Sequence, residues 1–128
     1  MFPKGAMYKP LTLKRQQVRI LTYNTQMIPP FVAQTSDLYP TSGQEDRLED
    51  IVKSLSDYDI VCLQEVWGGM YSDARCKLLA MAMKAGFIYQ AQDDAPAYES
   101  SYVLDGGLVI ISRFPIVATS QQPFEYSQ

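Results

Sequence analysis

Histidine is absent from all 128 residues. An imidazole base, acid or metal ligand is therefore excluded for this chain acting by itself, and Ser/His/Asp or Cys/His catalysis goes with it. Cysteine is scarce: Cys62 and Cys76 are the only two, too few for a disulfide framework and no zinc site by themselves. Each is expected as a small buried hydrophobe, one in an apolar strand and one in a helix, which fits a reducing compartment. Long apolar runs are missing as well. "GGLVII" and "LLAMAM" fall far short of the ~20 residues a bilayer helix needs, and the N-terminus has no signal-peptide hydrophobic region. A cytoplasmic or peripheral-membrane location is the expectation. Nor is there an excess of positive charge: 11 basic residues stand against 14 acidic ones, net −3, so no global field draws nucleic acid. Only residues 1–17 are locally basic, through Lys4, Lys9, Lys14 and Arg15. That segment is either a solvated terminus or a contact for phosphate or a membrane surface.

What remains suits one soluble domain with a core, since 47% of residues are apolar and 20% charged. "VRILTYN", Val18 to Asn24, alternates and is rich in β-formers, which predicts a strand. Thr25 to Gly43 carries Pro29, Pro30 and Pro40 without periodicity and reads as a long loop; loops of that length are often functional. Ser42 and Glu45 have capping-box spacing, and Leu48, Ile51, Val52 and Leu55 make one apolar stripe of a helix. "DIVCLQEV" reads as a buried strand. "SDARCKLLAMAMKAG" reads as a second helix, capped by Ser72, with Leu78, Leu79, Ala82 and Met83 toward the core and Gly86 ending it. "FIYQA", Phe87 to Ala91, is a short strand. "GGLVIISRFPIVATS" predicts a buried strand, a turn at Arg113–Phe114–Pro115 and a returning strand. The order is α/β, with helices covering a sheet.

Two of these strands deliver an oxygen donor after an apolar run: Asn24 from "VRILTYN" and Glu65 from "DIVCLQE". If the strands are neighbours, both side chains emerge at one sheet edge. A carboxylate and a carboxamide beside phosphate oxygens suit Mg²⁺, which takes hard oxygen ligands and keeps several waters. The other reading is a solvated strand end with Asn24 closing a turn. Gly106–Gly107 precede a strand rather than a helix, which predicts a close-packed bend more than a phosphate cradle. Asp105 reads as a turn residue that could approach the site.

Taken in order, "VRILTYN", "RLEDIVKSLSDYDIVCLQEVW" and "DGGLVIISRFPI" resemble the N-terminal part of the endonuclease/exonuclease/phosphatase superfamily, the deoxyribonuclease-like fold. "LYPTSGQEDR" leading to "LQEVW", and then "DGGLVIISRFPI", look most like neutral Mg²⁺-dependent sphingomyelinases. The resemblance implies a two-layer β-sandwich flanked by helices, of which residues 18–128 would form one half: a mixed sheet with helices on its outer face. It implies that Asn24 matches the family's metal-site asparagine and Glu65 the glutamate that binds catalytic Mg²⁺. The substrate it implies is a phosphodiester, a sphingolipid headgroup first, met at a membrane surface; the loop after Asn24 would shape access to it. In the family, the histidine, an Asp-x-Asn segment and an Asp-His pair come from the second half of the domain. A fragment of a longer enzyme, inactive alone and with an uncovered inner sheet face, is the expectation. A nuclease (disfavoured by the acidic balance), an inositol polyphosphate phosphatase and a non-catalytic half-domain stay open as alternatives.

Overall fold

A computed structural model describes residues 17–29, 44–68, 73–92 and 105–122. Along the chain these form β1 (Ile20–Met27), α1 (Gln44–Ser54), β2 (Ile60–Val66), α2 (Asp73–Lys84), β3 (Tyr89–Gln92) and β4 (Val109–Ser112). The four strands make one mixed sheet in the order β1-β2-β4-β3. β1 and β2 are parallel, as a crossover through α1 requires, whereas β4 runs antiparallel to both β2 and β3.

Both helices cover the same sheet face. Leu48, Ile51 and Val52 from α1 and Leu78, Leu79 and Ala82 from α2 share one core with Val61, Leu63, Val66, Val109 and Ile111. The apolar stripe read from the sequence of α1 is thus the buried face. α2 ends as its glycine predicts: Gly86 has φ 99°, and the Gly86 and Phe87 amides donate to the Met83 and Ala82 carbonyls, both at 3.0 Å. This is a Schellman closure, and it drops Phe87 fully into the core ahead of β3.

The opposite sheet face carries Ile20, Ile60, Cys62, Ile110 and Ala91. Ile20 is 63% exposed and Ile110 42%, whereas Ile60, Cys62 and Ala91 are half-buried, so among the described residues that face is only partly covered.

Several expectations need correction. Met83 is 51% exposed, on the outer side of α2 rather than in the core. Cys76 is exposed and Cys62 only half-buried; the first lies on the solvent side of α2 and the second on the open sheet face. β1 runs three residues past Asn24, so Thr25–Met27 are strand and not loop. β3 starts two residues later than Phe87. The returning strand after Pro115 does not form, and Val117 is 95% exposed. The topology explains this: β2 and β3 already occupy both edges of β4, so a hairpin partner has no edge to join. The caps assigned to Ser42 and Ser72, residues 30–43 of the loop, and residues 1–16 of the basic segment 1–17 lie outside the described residues, while Ile28 and Pro29 are irregular as a loop requires.

Candidate metal-binding site

β1 and β2 pair in regular register up to Asn24 opposite Gln64, and again at Met27 opposite Val66. Between these pairs β1 carries two residues and β2 only one, so the ladder bulges. The bulge contains two non-glycine residues with left-handed backbones, Gln26 at φ 49° and Glu65 at φ 58°. At Glu65 the left-handed turn resets the alternation. Val61, Leu63 and Val66 all face the core, and the Glu65 side chain, which strict alternation would have buried beside them, comes out half-exposed. That is how a carboxylate sits in an apolar strand without an unpaired buried charge.

Asn24 and Glu65, forty-one positions apart, meet in a hydrogen bond from Asn24 Nδ2 to Glu65 Oε1 at 2.8 Å. Asn24 Oδ1 accepts from the Gln26 amide at 2.9 Å. The two bonds fix the orientation of the carboxamide, because its opposite rotamer would set oxygen against carboxylate oxygen and NH₂ against N–H. Glu65 keeps its second carboxylate oxygen as a donor, and the Asn24 oxygen keeps one lone pair.

The backbone on either side is held from several directions. The Thr25 side chain, fully buried, donates to the Gln64 carbonyl at 3.0 Å and lies 3.3 Å from that of Glu65. Arg47, in the first turns of α1, reaches the Thr25 carbonyl at 2.7 Å and the Gln26 carbonyl at 3.4 Å. On the β2 side the Val66 amide donates to Gly107 O at 2.9 Å. Gly107 has φ 65°, and a Cβ there would stand 3.1 Å from the Trp67 ring and 3.2 Å from Glu65 Cα. The glycine pair is thus a close-packed bend, as its position before a strand suggests. Asp105 is more than a turn residue. Its Oδ1 accepts from the Gly68 and Gly107 amides at 2.9 Å each, and its Oδ2 takes Arg75 Nη1 at 2.5 Å. Arg75 Nε donates to Val66 O at 2.8 Å.

The sequence reading missed Thr25, Arg47 and Arg75. A weak signal for the arginines existed: both stand near helix N-termini, where the macrodipole disfavours a cation. A residue that breaks a local rule is often held there by tertiary contacts.

The donors present suit a hard divalent cation of the Mg²⁺ type, which accepts one or two carboxylates and completes its shell with water and substrate oxygens. No cluster of three or more His, Cys, Asp or Glu residues capable of holding a metal occurs among the described residues. The pair by itself offers two side-chain oxygens to such an ion, fewer than a closed cage needs.

With the fold and this pair in view, residues 21–127 match the family model described as the Endonuclease/Exonuclease/phosphatase family. The chain belongs to that family. It is similar to a sphingomyelinase of Dictyostelium discoideum, 34% identical over 84 residues, which are 65% of this chain and 18% of that protein. Sphingomyelinase C from Streptomyces griseocarneus superposes with a TM-score of 0.60 at 28% identity, over 78% of this chain and 35% of that one. A beta toxin mutant from Staphylococcus aureus with bound magnesium ions gives 0.60 at 24% identity, over 78% and 35%, a likeness of fold. The chain thus spans well under half the length of each of these proteins.

Proposed function

We propose that this chain is the metal-ligating part of a Mg²⁺-dependent phosphodiesterase whose substrate is a sphingomyelin-type phosphodiester. The observation that carries the reading is the Asn24–Glu65 hydrogen bond at 2.8 Å, formed where two paired strands bulge. The similarity to sphingomyelinases supports the choice of substrate class. Glu65 supplies a carboxylate oxygen to the ion, and Asn24 holds that carboxylate at a fixed angle and offers its amide oxygen alongside. The bound ion would neutralise charge building up on the phosphoryl group and leaving oxygen. The chain's own task is rigidity: two strands locked by Thr25, Gly107 and two arginine side chains keep the donor still. With no histidine in the chain, the group that takes a proton from water is not an imidazole of these 128 residues.

Two measurements test this. Mg²⁺ titration of the chain, followed by amide NMR shifts, should perturb residues 24–26 and 64–67, and Glu65→Gln should remove the response. In a longer protein containing this segment, sphingomyelin hydrolysis should require Mg²⁺ and fall by at least ~10²-fold with Glu65→Gln. Unchanged hydrolysis by the variant would refute the assignment.

A further inference from the structure

The ion pair between Arg75 and Asp105 is buried, with side chains only 6% and 3% exposed. A buried pair of this kind is a poor source of stability, because desolvating both charges offsets most of their attraction. This one is costlier still, since Arg75 Nη2 is buried with no hydrogen-bond partner among the described residues. A well-packed apolar pair would serve packing better. What the pair does achieve is visible in its other bonds. Through Arg75 Nε it holds Val66 O, and through Asp105 Oδ1 it holds the amides of Gly68 and Gly107. Gly107 in turn accepts from the Val66 amide and lies against Glu65 Cα. Every one of these contacts falls on the three residues that follow Glu65 or on the glycine packed against it.

Glu65 itself needs such restraint. A left-handed backbone at a non-glycine residue persists only where its surroundings over-determine it. Thr25 fixes the peptide planes on the β1 side, and the Arg75–Asp105 pair fixes those on the α2 side. We infer that Arg75 and Asp105 are positioning residues for the metal-binding carboxylate: they latch α2 and the loop before β4 onto the end of β2 and hold Glu65 in its left-handed conformation. This deepens the metal-site reading and rests on it.

The chain contains a comparison at the far end of the sheet. Arg113 is another arginine that donates to backbone carbonyls, Tyr58 O at 3.0 Å and Ala85 O at 2.8 Å, but at the end of the sheet where β2 begins. A role in stability alone predicts that, in the folded chain, loss of neither arginine changes Mg²⁺ affinity. The test compares Arg75→Met/Asp105→Asn, which removes both charges together and leaves no buried ion unpaired, with Arg113→Met and Glu65→Gln. Mg²⁺ affinity is read by NMR titration of the folded chain, and Trp67, the only tryptophan, reports on the latch by its emission.

The double variant should bind Mg²⁺ roughly tenfold to a hundredfold more weakly and shift Trp67 emission. Arg113→Met should lower thermal stability with Mg²⁺ affinity within about twofold of the unaltered chain, well inside that range. Equal affinity for the double variant and the unaltered chain, with Glu65→Gln abolishing binding, overturns the latch and leaves the metal site standing. Binding that survives Glu65→Gln overturns the metal site and the latch with it. If the double variant does not fold, Gly107→Ala decides. It keeps both charges and presses on Glu65 Cα, and it should weaken Mg²⁺ binding on the same scale; unaltered affinity there rejects the inference.

Discussion

Glu65 is the residue on which sequence and structure meet. In a continuous apolar strand its side chain would lie in the core beside Leu63, at a cost of several kcal/mol for an unpaired charge. One left-handed residue avoids that cost by turning the carboxylate out and returning Val66 to the interior. Asn24 then meets it through an NH₂ group, which makes the pair's electrostatics depend on a neutral donor. Replacing that donor by a carboxylate, Asn24→Asp, puts two negative charges in hydrogen-bond range of each other. Without metal the variant should melt below the unaltered chain. With saturating Mg²⁺ it should gain more in melting temperature than the unaltered chain does, reflecting affinity raised by about tenfold through the extra charge. Melting curves with EDTA and with Mg²⁺ measure both halves, and a metal-independent difference would contradict the geometry.

The elements themselves were largely legible. The stripe Leu48–Ile51–Val52–Leu55 and the buried run Val61–Leu63 have periods that only one face can satisfy. Gly86 announced the end of α2 because no other residue takes φ 99° without strain. Gly86→Ala should therefore cost ~1–2 kcal/mol. Thermal denaturation checks this, and the expected fall in melting temperature is about 4–8 °C per kcal/mol for a domain near 100 residues. Mg²⁺ affinity should not change, since the loop lies on the Arg113 side of the molecule. The bulge was not legible. Gln26 and Glu65 are not residues that advertise a positive φ, so nothing local marked the place where β1 and β2 lose register. The missing hairpin after Pro115 was invisible for another reason. Turn chemistry is local, but whether β4 has a free edge depends on strands far away in the chain.

At the scale of the molecule, a mixed sheet has helices on one side and an apolar, half-exposed surface on the other. Ile20 and Ile110 present side chains to solvent that a second layer would cover in a sandwich. For the chain by itself this predicts self-association. Sedimentation velocity should show dimers or larger species at micromolar concentration, and Ile20→Thr with Ile110→Thr should shift the distribution toward monomer. A monomer at all concentrations would show that this face is not adhesive. The proposed metal site lies at the edge of that open face, since Asn24 and Gln64 point to the same side as Thr22 and Cys62.

The most direct measurement is Mg²⁺ titration of the 128-residue chain by amide NMR, for the unaltered sequence and for Glu65→Gln. The account predicts saturable shifts centred on Asn24, Gln26 and Glu65 that vanish in the variant. Shifts scattered over the surface acidic residues, or a response that Glu65→Gln leaves intact, would contradict it.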